Sequence, residues 1–202
     1  MGYLGNQITT VFPTSISVDS ATISGNTTVG GTLGVTGVST LSDNIVFDAS
    51  SKGVHLGVTS ATASNLLDDF EEGTFDVTIR DATSGGNTGS VTQTNKYVKV
   101  GDFVWMQFNL INITTTGMTG GNNLYLTGLP FTPATGSNGS GSVIVNQVNI
   151  DNNVYDLNLF QNAGQSYASF LQNVDNSGST TAPVSLFDNS TADVFGTYMI
   201  KV

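Results

Sequence analysis

The spacing of apolar and polar positions changes twice along the chain. Residues 1–20 carry Tyr3, Leu4, Ile8, Val11 and Phe12 among polar neighbours, too few to build a core of their own. From Ala21 the sequence reads in sixes: ATISGN, TTVGGT, LGVTGV, STLSDN, IVFDAS. The third place is always apolar (Ile23, Val29, Val35, Leu41, Phe47), and two places later stands Gly25, Gly31, Gly37, Asp43 or Ala49. One apolar residue per six, followed by a turn-prone residue, is the pattern of β-helical and fibre-shaft winding. Glycine suits the corners because it adopts positive φ at little cost.

Beyond residue 66 the period falls to two, which predicts strands at 75–80, 95–100, 103–113, 123–126, 142–150, 154–160, 167–174 and 194–202. Turn-rich clusters separate them at 84–89, 116–123, 134–141 and 175–180. In 103–113, Val104, Met106, Phe108 and Leu110 share one face while Phe103 and Trp105 take the other, so this strand is expected to be covered on both sides. No helical stripe is sustained, and LLDDFEE at 66–72 has room for a single turn. Short strands at this spacing predict an antiparallel β-sandwich, jelly-roll-like, over 66–202.

The repeat also bears on oligomeric state. Solenoids need three or more stacked coils to bury a continuous core, and five rungs make fewer than two coils of a single-chain hexapeptide helix. Three parallel copies would instead enclose Ile23, Val29, Val35, Leu41 and Phe47 on a shared axis. Each fully buried aliphatic side chain contributes about 1.5–3 kcal/mol, enough over three chains to hold a thin shaft. The competing interpretation is a Gly/Thr/Ser linker.

Composition narrows the function. The chain has 202 residues, 15 acidic against 5 basic, a formal net charge of −10 and only 10% charged residues. Nucleic-acid binding needs clustered cations, whereas Lys52, Arg80, Lys96, Lys99 and Lys201 are scattered. With no cysteine there are no disulfides, thiolate metal sites or cysteine nucleophiles. No apolar run approaches the roughly 20 residues that span a bilayer, and MGYLGNQITT lacks the features of a signal peptide. Neither membrane insertion nor a nucleic-acid partner is expected.

Candidate chemistry is sparse. His55, the single histidine, lies between Val54 and Leu56 and is expected to pack rather than react. No G-x-S-x-G accompanies it, and no EF-hand loop is present. Asp151, Asn152, Asn153 and Asp156 offer oxygen ligands of the kind calcium takes, but turn chemistry accounts for them. The acidic run Asp68, Asp69, Glu71, Glu72 has the residue type for glycosidic cleavage. The chain has no room for the long grooved β-helix of a tailspike-like hydrolase, so the run is expected to be a solvated junction. No enzyme activity, cofactor or metal is expected.

Several motifs carry a resemblance. LLDDFEEGTFDVTI (66–79) resembles the L-D-D-Y-E-E-G-T segment of tailed-bacteriophage tail fibres and related virion proteins. KYVKVGDFV (96–104) and LTGLPF (126–131) are similar to the strand pair and turn that follow it in that module. ATISGNTTVGGTLGVTG is similar to phage-fibre shaft runs. Phe70 replaces the usual Tyr, and Val77 stands where Pro is common.

The resemblance implies an all-β homotrimeric fibre of a virion, made in the host cytoplasm and non-enzymatic. Residues 1–20 would be the anchoring peptide, docking onto tail or capsid proteins through Tyr3, Leu4, Ile8, Val11 and Phe12. Residues 21–65 would form a short trimeric β-helical or β-prism shaft, and 66–202 the head that meets a bacterial surface receptor, with glycans among the candidates. Loop chemistry points to Thr119, Asn122, Asn123, Tyr125 and Asn138 for that contact. The alternative is a head fibre or cement protein that decorates the capsid.

Overall fold

The computed structural model describes residues 22–83, 91–92, 94–150, 153–187 and 191–202. Backbone contacts divide the chain into two units, Met1–Ile45 and Val46–Val202. In the first unit, residues 22–45 form neither strand nor helix, and all are exposed. The β-helical winding expected there is not formed within one chain. A lone ribbon of five short rungs has no backbone neighbour to bond and no partner to cover its stripe. The anchor residues Tyr3, Leu4, Ile8, Val11 and Phe12 lie outside the described residues.

The second unit is built from antiparallel strands. A small hairpin pairs β1 (Val54–His55) with β2 (Leu66–Leu67). The remaining strands are β3 (Phe70–Asp76), β4 (Thr78–Asp81), β5 (Val91–Thr92), β6 (Thr94–Val100), β7 (Phe103–Ile113), β8 (Leu124–Thr127), β9 (Gly139–Asn146), β10 (Val154–Gln161), β11 (Ala168–Val174), β12 (Thr180–Thr181) and β13 (Ala192–Lys201). The main path runs β3-β6-β7-β13-β9-β10-β11-β8-β4, with β5 and β12 attached to β7 and β11.

The two ends of that path are halves of one chain segment, interrupted at fully buried Val77. Asp76 pairs with Thr94 on one edge, and Thr78 pairs with Thr127 on the other. The nine-stranded sheet therefore nearly closes into a barrel, which corrects the expected two-sheet sandwich. Alternation of apolar and polar residues is the same in both architectures; only the switch at Val77 tells them apart. Gly128 serves this seam: its φ is +84°, and a Cβ there would strike the Asp76 carbonyl.

Half of the acidic run is strand: Glu71 and Glu72 lie on β3, while Asp68 and Asp69 link β2 to it. Phe70 to Asp76 pairs with Val100 to Thr94, which sets Glu71 opposite Lys99 and Gly73 opposite Tyr97. Lys99 forms an ion pair with Asp69, and the Tyr97 hydroxyl donates to Glu71. Two of the four carboxylates, Asp69 and Glu71, are thus met by the basic, aromatic KYVK segment.

Val104, Met106, Phe108 and Leu110 point into the core as expected. They meet Ile79, Leu126, Leu159, Phe170, Phe187 and Tyr198 from the other strands and the turn after β12. Gly196 opposes Phe108 in register, and a Cβ there would collide with the Phe108 ring. The strand expected over 142–150 ends at Asn146, because Gln147 turns the chain with φ +55°.

One polar pair crosses this core. The Tyr198 hydroxyl donates to Gln161 Oε1 at 2.8 Å, and Gln161 donates from Nε2 to the Gln165 carbonyl at 2.5 Å. Tyr198→Phe is expected to cost about 1–2 kcal/mol by leaving a buried acceptor unmet, measured by urea unfolding at pH 7. Burial raises the Tyr198 pKa above its ordinary value. The folded state thus holds this proton more tightly than the unfolded chain does. Its contribution is complete below the unfolded tyrosine value of about 10 and lost as pH climbs beyond it. The alkaline decline in stability should accordingly be smaller in Tyr198→Phe than in the parent.

Candidate functional site

The loop residues expected to meet a receptor are engaged in holding the fold. Asp81, fully buried at the end of β4, accepts from the backbone N–H of Thr119 at 2.7 Å and from Asn122 Nδ2 at 2.8 Å. It also accepts from the N–H of Thr83 at 2.7 Å. Asn123 Oδ1 accepts from the Thr181 hydroxyl at 2.7 Å. Tyr125 stacks on Tyr167 with ring centroids 4.2 Å apart, and Gln165 donates to the Tyr167 hydroxyl. Asn138 Oδ1 accepts from the N–H of Ala163 in a different loop. The structure brings Thr119 and Asn122 together on Asp81, while Asn138 serves a separate contact.

The oxygen cluster considered for calcium is described only in part. Asp151 and Asn152 lie outside the described residues, and Asp156 Oδ2 accepts from Asn158 at 2.7 Å. His55 is half-buried on β1 beside a hollow lined by Val46, Phe47, Asp48, Lys52 and Leu66. Its Nδ1 is buried without a hydrogen-bond partner.

A different surface is open. Five adjacent strands, β6, β7, β13, β9 and β10, present a groove of 610 Å³ on their outer face. Register places Lys96, Gln107, Thr197, Ser142 and Asn158 directly opposite one another across these strands. Directly opposed residues in antiparallel strands share a face, so this is one polar row. The next row is Val98, Trp105, Met199, Ser140 and Phe160. Trp105 is 48% exposed and Met199 43%. Phe103 extends the aromatic surface, its ring centroid 6.1 Å from that of Trp105.

The outer face of β7, expected to be covered, is therefore bare in the single chain. One closed core needs only one face of each strand, and among the described residues of 46–202 the other face at Phe103, Trp105 and Gln107 is exposed. Trp105 drew notice in the sequence, but its polar neighbours did not. Thr197 comes to lie beside it because the C-terminal strand β13 inserts between β7 and β9, a non-local pairing that local pattern does not report.

The stripe residues Ile23, Val29, Val35, Leu41 and Phe47 are each between 47% and 65% exposed. Among the described residues no group of three histidines or carboxylates gathers as a metal site. Comparison with known proteins finds no matching family model, no matching curated protein and no matching solved structure.

Proposed function

We propose that the protein is a non-enzymatic virion appendage of a bacteriophage: a homotrimeric short tail fibre that attaches to the host cell surface. The observation that carries this is the stripe of Ile23, Val29, Val35, Leu41 and Phe47, evenly spaced by six and exposed in the single chain. Five large apolar side chains in phase and exposed are matched by parallel copies of the same segment. The fibre-like motifs at 66–79, 96–104 and 126–131 supply the virion context. In this proposal residues 1–20 dock on the particle, 21–65 trimerise and 66–202 face outward. Three heads on one shaft let weak individual contacts add up to firm attachment.

Purified protein is expected to adsorb to cells of a susceptible host and to compete with the phage for them. Protein that binds emptied capsids and no host cell would overturn attachment and favour a head fibre or cement protein.

A further inference from the structure

We infer that the groove on the outer face of β6, β7, β13, β9 and β10 is a saccharide-binding site for a glycan with an anionic sugar, centred on Trp105 and Lys96. This rests on the proposal that residues 66–202 are the receptor-facing module, and it names both the surface and the ligand class.

Three features of the groove point to a sugar. First, an exposed indole lies on a rigid strand, and the C–H face of a pyranose ring packs on such an electron-rich surface. Second, the polar row beside it is largely unspent. Among the described residues no side-chain hydrogen bond holds Lys96, Gln107, Ser140, Ser142 or Thr197, and Asn158 uses only its Nδ2. Hydroxyls and amides both donate and accept, which matches the hydroxyl pattern of a sugar. The loop residues around Asp81 differ on this point, since their polar groups are already committed. Third, the groove has the capacity of a ligand site, where about 300–1,000 Å³ is usual.

Charge selects among saccharides. Lys96 is the single charged residue lining the groove. It has no carboxylate partner among the described residues, whereas Lys99 and Lys201 pair with Asp69 and Asp102. Glu72 and Asp76 lie opposite Val98 and Thr94 on β3, one strand outside the lining, and the Asp156 carboxylate is held by Asn158 at the far side. On a chain of net charge −10, an unpaired cation in a groove whose lining residues include no acid gives an anionic group one favoured place. The polar row then bonds ring hydroxyls while Lys96 meets the carboxylate.

Trp105 is the single tryptophan in the chain, so its fluorescence reports on the groove directly. The full-length protein would be titrated with trigalacturonate, sialyllactose and uncharged maltotriose, following tryptophan emission. A saturable change with at least one acidic probe, and a weaker one with maltotriose, is expected. Lys96→Met should weaken the acidic probe about tenfold, the worth of one charge-assisted hydrogen bond, and leave the neutral one unchanged. Gln107→Ala, also exposed and outward, should weaken both.

Emission unmoved by all three sugars at millimolar concentration would overturn the proposal. Equal binding of acidic and neutral probes that Lys96→Met does not alter would overturn the role of Lys96. Acrylamide separates a further case: if Trp105 is shielded from it in the assembled protein, a second copy fills the groove and the saccharide site is refuted. Sugar binding without adsorption to cells would instead count against attachment while the groove stands.

Discussion

Val35→Asp is expected to abolish the trimer, leaving a 21.0 kDa species or an insoluble chain in place of the assembled fibre. Val35 is the third of the five stripe positions, and in the proposed shaft three copies of it meet on the axis. The substitution removes about 1.5–3 kcal/mol of burial from each chain. It also places three carboxylates together away from water, where each charge costs several kcal/mol more and repels the others. Val38→Asp is the matched control. Val38 lies in the same hexad but off the stripe, so the same charge there should leave the trimer intact. Light scattering on both variants checks the pair; a normal trimer in Val35→Asp would mean that Val35 is not axial.

Asp81→Ala is expected to destabilise residues 46–202 by about 3–5 kcal/mol, measured as a lower urea midpoint. Among the described residues three donors converge on this buried carboxylate: the N–H groups of Thr83 and Thr119 and the Asn122 side-chain amide. Removing it strands all three and frees the 116–123 loop from the end of β4. Asp81→Asn should lie between parent and Ala, because it keeps one acceptor oxygen but turns an NH2 toward the remaining donors. A loss under about 1 kcal/mol in Asp81→Ala would show that the loop is held by other contacts.

The limits of legibility follow from the same residues. Period-two alternation located the long strands well, including Phe103–Ile113 in full and its inward Val104, Met106, Phe108 and Leu110. It could not reveal Val77 as the point where one segment passes between the two edges of the sheet, because both halves alternate alike. The strand at Phe70–Glu72 was hidden by its charge, of which Glu71 is met by the later KYVK segment. Loops rich in Asn and Thr looked like ligand surfaces, yet Asp81 consumes much of that hydrogen bonding. Exposure and unspent donors are properties of the folded surface, and so the groove around Trp105 emerged only once β13 was in place.

The shaft stands differently. Its regularity is plain in sequence, while the single chain leaves residues 22–45 exposed and without strands. The most direct test is the absolute mass of the full chain in solution, by light scattering during size-exclusion chromatography. A three-chain shaft gives 63.0 kDa, three times the 21.0 kDa chain. A mass of 21.0 kDa, constant across concentration, would contradict it and reduce the repeat to a linker.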